Sequence, residues 1–234
     1  IIFNEKIGAA IPLQGIDGFF ICAETAIFIY KNGIIKEYIK LDNIIDEGMR
    51  CNDAKIDSLN RLWFSTMVDD GISEAHGGLY CIKNNKIICM DNDVKLGNGL
   101  AFSKDNKKLF YVDSILHKIY EYDYDLKNGN ISNKKVLFEI NNGTPDGMCI
   151  DEDDNLFIAI WGGGRIEVRS TKTKKLLDII NIPTKLITSC TFSGDNLNEL
   201  IITTASLDEK DIYAGKVFKI KTKYKGRKER FYRL

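Results

Sequence analysis

Five times along this chain a short apolar run, closed by small or polar residues, returns at a nearly constant interval. The copies read GFFICAE (18–24), RLWFSTM (61–67), KLFYVDS (108–114), NLFIAIW (155–161) and ELIITTA (199–205). Their first apolar residues, Phe19, Leu62, Leu109, Leu156 and Leu200, are spaced 43 to 47 residues apart. A period of that length is the mark of a β-propeller, in which each repeat is one four-stranded blade that buries its faces only by stacking on its neighbours. A second apolar run follows each copy: AIFIY (26–30), GLYCI (78–82), KIYEY (118–122), RIEVR (165–169) and KVFKI (216–220). Turn signals such as Asn32-Gly33 and Asn128-Gly129 come next, and then room for an outer strand. No segment has the length and period of a helix, and no Ser/Pro-rich linker interrupts the repeat. The expectation is an all-β propeller forming a single domain over residues 1–234.

The repeat also aligns the innermost strand of each blade. Asn52 precedes Asp57 by five residues, Asn98 precedes Ser103 by five, and Asp146 precedes Asp151 by five. Thr188 holds the same position ahead of Ser193, and the first blade has small residues near Gly8. Innermost strands line a propeller's central channel. Three polar side chains, one a carboxylate, are therefore expected to converge at one mouth of it, as a hard oxygen-liganded metal or a polar small molecule requires. Arg50 adds a fork of donors beside Asn52.

Composition removes other classes. Lys+Arg and Asp+Glu both total 33, which gives no global attraction to nucleic acid or anionic membrane. No apolar run reaches the roughly 18 residues of a spanning helix, and the chain is expected to be cytoplasmic. The six cysteines form no C-x-x-C pair and read as buried free thiols. His76 and His117 lie outside the channel-facing motifs. Asp113, Ser114 and His117 are too close in sequence to suggest a hydrolytic triad. WGGGR (161–165) lacks the Lys-Ser/Thr of a phosphate loop and reads as a hairpin turn. DEDDN (151–155) lacks the Gly and distal Glu of a calcium loop and reads as a solvated turn. The basic tail 221–234 reads as a solvated end or a closing strand.

The stretches RCNDAKID with RLWFSTM, NGLAFS with LFYVDS, YDYDLKNGNISN, PDGMCID and GGGRIEV, in this order and spacing, resemble the SMP-30/gluconolactonase/regucalcin family from about residue 7 to about residue 220. The resemblance implies a six-bladed propeller with one divalent ion at the channel mouth, calcium first, with zinc, magnesium or manganese as alternatives. It implies hydrolysis of sugar lactones. Carried over motif by motif, it makes Asn98 and Asp146 metal ligands, Asp146 also the catalytic base, and Arg50 and Asn52 substrate contacts, with Asp70 or Asp69 in STMVDD as a further one. The family carries another blade segment ahead of this chain's first repeat, bearing a glutamate ligand. With five repeats visible, about one N-terminal blade's worth of sequence is expected to be missing. Such a chain would present an unpaired sheet edge. Two other functions fit the resemblance: a non-catalytic calcium-binding or regulatory propeller, and a related esterase or organophosphate hydrolase.

Overall fold

The repeated runs become the second strands of antiparallel sheets. The structure is a computed structural model that describes residues 3–42, 44–69, 76–207 and 210–234. Asp70, expected to touch substrate, lies outside the described residues. The first sheet is β1 (Ala9–Pro12), β2 (Gly18–Cys22), β3 (Ala26–Lys31) and β4 (Ile34–Lys40), paired in that order. The second is β5 (Met49–Ile56), β6 (Leu62–Val68), β7 (Gly77–Lys83) and β8 (Lys86–Val94). The third is β9 (Gly97–Phe102), β10 (Lys108–Asp113), β11 (Lys118–Asp125) and β12 (Asn130–Glu139). The fourth is β13 (Thr144–Ile150), β14 (Asn155–Trp161), β15 (Arg165–Ser170) and β16 (Leu176–Asn181). The fifth has three strands, β17 (Ile187–Ser193), β18 (Glu199–Thr204) and β19 (Phe218–Lys221). All are strand-by-strand meanders of the β-propeller class. Among the described residues there are five blades where the resemblance implies six.

Two compact units emerge from the contacts. One comprises residues 1–98 with 125–131 and 230–234, the other residues 99–124 and 132–229. In the first, one apolar cluster joins the first two sheets through Phe20, Ile27, Leu62, Phe64 and Ile82. In the second, Phe110, Ile119, Leu156 and Ile158 fill the space between the third and fourth sheets, and Phe157, Val168, Phe192 and Leu200 that between the fourth and fifth. Burying such a side chain stabilises by about 1.5–3 kcal/mol. The second strands explain the repeat seen in sequence. From Leu62 to Met67 in β6, and from Leu156 to Ile160 in β14, every residue is buried. A strand covered on both faces needs an unbroken apolar run, whereas the outer β4 and β16 are mostly exposed or half-buried.

The turns after the innermost strands are built from the residues that mark the repeat. Asp57 is buried, and its Oδ1 accepts from the amides of Leu59 (2.8 Å) and Arg61 (3.0 Å). Its Oδ2 accepts from Arg61 Nε at 2.6 Å and Trp63 Nε1 at 3.0 Å. Ser103 Oγ accepts from the amide of Lys108 at 2.9 Å and donates to Asp105 Oδ1 at 2.7 Å. Asp151 accepts from the amides of Asp153 (2.9 Å) and Asn155 (2.8 Å) and from Asn155 Nδ2 (2.8 Å). These are side chains standing in for backbone acceptors in a tight turn. DEDDN is thus a turn, but not a fully solvated one, since Asp151 and Asn155 are buried. Asn32 and Gly33, with φ of 49° and 83°, make the left-handed two-residue hairpin between β3 and β4.

The basic tail is spent on acidic partners and on backbone. In the second unit Lys223 meets Asp178 (3.0 Å), Lys225 meets Glu152 (3.3 Å), and Arg227 Nη2 donates to the Phe102 carbonyl (2.6 Å). In the first unit the Tyr232 amide donates to the Pro12 carbonyl (2.9 Å), and the Tyr232 ring stacks on Phe20 with centroids 4.2 Å apart. Among the described residues the tail beyond β19 forms no strand and pairs only at isolated bridges, Asp151 with Gly226 and Leu13 with Tyr232. Among the described residues no helix is long and apolar enough to cross a membrane.

Candidate functional site

Three of the four polar positions aligned by the repeat coincide with a break in strand pairing. On β5 the register against β6 shifts between Cys51 and Ala54, so Asn52 and Asp53 form a bulge. On β13 it shifts between Pro145 and Met148, at Asp146 and Gly147, and on β17 between Ile187 and Ser189, at Thr188. A bulge bends the strand and re-aims the side chain it carries, and such bulges recur next to active sites. The residue after the polar one must also be small where inner strands crowd. A Cβ on Gly147 would lie 2.3 Å from Ser189 Oγ and 2.8 Å from the Thr188 carbonyl. One on Gly99 would lie 2.8 Å from the Asp146 carbonyl. The N-G and D-G steps at 98–99 and 146–147 are therefore packing requirements of the site's own backbone.

In the first unit three of the expected residues come together. Arg50 Nε donates to Asp69 Oδ1 at 2.9 Å, and its Nη1 donates to the Cys51 carbonyl at 2.9 Å and to Asn52 Oδ1 at 3.4 Å. Asn52 Nδ2 donates to the Gly97 carbonyl at 2.9 Å, which ties β5 to the residue before Asn98. Ser65 Oγ donates to the same carbonyl at 3.0 Å and accepts from the Asp53 amide at 2.9 Å. Lys6 forms a second ion pair on Asp69. The Lys6 ammonium and the Arg50 guanidinium hold the Asp69 carboxyl below the usual carboxylate range. Asn98 is buried in β9 of this unit. Asp146 lies in the second unit, on the β13 bulge, where Ser114 Oγ donates to the neighbouring Pro145 carbonyl at 2.7 Å. That bond, with His117 Nδ1 facing the Gly143 carbonyl at 3.0 Å, gives Ser114 and His117 structural roles in place of a triad. WGGGR forms the turn between β14 and β15, with Gly162 and Gly164 at positive φ.

Sequence reasoning missed Lys6 and Ser65. Lys6 stands in a segment without a motif, and Ser65 sits inside an apolar run, so only their partners reveal them. Asn98 and Asp146 offer amide and carboxylate oxygens, the donor type of a hard divalent ion. Among the described residues no three His, Cys, Asp or Glu side chains group together, so Asn98 and Asp146 each fit such an ion in donor type alone.

Consecutive antiparallel meanders, with bulges on the inner strands β5, β13 and β17, define a β-propeller. Residues 1–206 match the family described as SMP-30/Gluconolactonase/LRE-like region, and the chain belongs to that family. It is 30% identical over 207 residues to regucalcin of Danio rerio, a match covering 86% of this chain and 70% of that protein. It is 34% identical over 182 residues to a putative sugar lactone lactonase of Bacillus subtilis, covering 76% of this chain and 62% of that protein. The structure of a luciferin-regenerating enzyme superposes with a TM-score of 0.90 at 33% identity, over 99% of this chain and 83% of the other. The chain thus spans between three fifths and three quarters of the length of these two curated relatives.

Proposed function

We infer that this protein opens a sugar lactone by hydrolysis, at the mouth of a propeller channel, with the help of one divalent ion. The observation that carries the reading is the coincidence of Asn52 and Asp146 with inner-strand bulges, in a chain of the gluconolactonase family. In this reading the five described sheets belong to one propeller domain, six-bladed in its active form, in the cytoplasm.

A lactone is a cyclic ester. Water adds to its carbonyl carbon, the ring C–O bond breaks, and a hydroxy acid leaves. Arg50 would orient the substrate. Its Nε and Nη1 are fixed by Asp69, Cys51 and Asn52, while Nη2 has no partner among the described residues and is a donor for a lactone carbonyl or sugar hydroxyl. Asn52, held by Gly97, keeps that guanidinium in place and adds an amide oxygen. Asp69, and Asp70 beside it, would accept from sugar hydroxyls. Asp146 would take the proton of the attacking water on a carboxylate oxygen. Asn98 and Asp146 would hold the ion, calcium first and zinc, magnesium or manganese as substitutes, and it would supply Lewis acidity to the carbonyl and the water.

The test is acid release from gluconolactone by purified protein. Opening above the buffer rate with one of the four ions, lost on chelation and restored by adding the ion back, is the expected result. No rate above buffer with any of them would overturn the reading.

A further inference from the structure

Cys149 and Cys190 lie 41 residues apart in sequence on the inner strands β13 and β17, and their sulfurs meet at 3.6 Å inside the second unit. Both side chains are buried, in the cluster that also holds Phe157, Phe192 and Leu200. Cys149 is directly across the β13–β14 ladder from Phe157, whose carbonyl accepts from Cys190 Sγ at 3.4 Å. The backbones close to this pair are already at contact distance, since Gly147 has no room for a Cβ against Ser189. A disulfide bond is about 2.05 Å long, so the sulfurs need to close by about 1.5 Å to form one.

We propose that Cys149 and Cys190 are an oxidative modification site that links β13 to β17 by a disulfide. Hydrogen peroxide, small and neutral, is the oxidant. One thiolate attacks the peroxide oxygen, the O–O bond breaks, and a sulfenic acid and water form. The second thiol then attacks the sulfenic sulfur, releasing a second water as the S–S bond forms. Two thiol hydrogens and one peroxide are consumed, and two waters leave. Burial controls the rate, because the oxidant must reach sulfurs that are shut away from solvent. Oxidation is therefore slow in the folded protein and faster while β17 docks during folding. Once formed, the bond is shielded from dissolved thiols, since exchange needs a thiolate to reach a sulfur. The link would sit three residues beyond Asp146 and two beyond Thr188, fixing the two bulges against each other.

The experiment uses the full chain with Cys89→Ser, which removes the exposed thiol and with it cross-linking between molecules. Hydrogen peroxide is added to the folded protein in one arm and during refolding from urea in the other. After quenching with catalase, free thiols are alkylated in denaturant, and the protein is digested without reductant for mass spectrometry. The expected result is a Cys149–Cys190 linked peptide, lighter by two hydrogens than the sum of its parts, abolished by reduction after unfolding. It should form within minutes on refolding and over hours in the folded protein. A link in either arm supports the site. Full alkylation of both cysteines in both arms, or their separate conversion to sulfinic acids, would overturn it.

Discussion

Asp146 and Asp151 stand five residues apart along β13 and its turn, as do Asn52 and Asp57 on β5, yet the two ends of these strands put the same chemistry to different use. At the turn end the carboxylates are consumed locally. Asp57 accepts from Leu59, Arg61 and Trp63, and Asp151 from Asp153 and Asn155, each donor within six residues of its acceptor. At the bulged end the partners come from far along the chain: Asn52 reaches Gly97, Arg50 reaches Asp69, and Gly147 closes on Ser189. The turn end carries the fold's stability. The bulged end trades regular pairing for the aim of its side chains.

The largest stability loss should come at the turn end. Asp57→Ala strands the half-buried Arg61 guanidinium and the Trp63 indole N–H, and should cost about 3–5 kcal/mol, read as a lower urea midpoint. A loss under about 1 kcal/mol would mean that the turn is held by something else. Next comes Asp146→Ala. Lactone opening should fall at least about a hundredfold, while the far-ultraviolet circular dichroism and the urea midpoint stay close to those of the parent. If stability fell with activity, the two ends would not be separable. Gly147→Val should cost about 1–3 kcal/mol of stability, read as a lower urea midpoint, through overpacking against Ser189 and Thr188, and should reduce activity by moving the Asp146 bulge.

The smallest effect concerns pH and again divides the ends. The Asp69 carboxyl is held low by Lys6 and Arg50, so its folded pKa lies below its unfolded value. It adds stability above the unfolded pKa, and that contribution is lost as pH falls through the folded one. The midpoint difference between the parent and Asp69→Asn should therefore be present near neutrality and vanish in acid, with a size limited by solvent to about 1 kcal/mol or less. Asp151 has the opposite sign. Burial pushes its carboxyl up, so its contribution is greatest in acid and is lost as pH rises through the folded pKa. Matching pH profiles for Asp69→Asn and Asp151→Asn would break the contrast.

The local end of this comparison was legible in the residues. A strand covered on both faces demands an unbroken apolar run, so the second strands announced themselves at 43 to 47 residue intervals. Asp57, Ser103 and Asp151 mark turns because their donors are their own near neighbours. The equivalence of Asn52, Asn98 and Asp146 followed from the same spacing, since period and offset are properties of the chain. Tertiary structure decided the rest: the bulges at Asn52 and Asp146, Asp69 as Arg50's partner, the parts played by Lys6 and Ser65, and the meeting of Cys149 with Cys190. Those depend on which strands lie side by side and how closely their backbones approach, and a pattern read along one strand carries no term for the distance to the next.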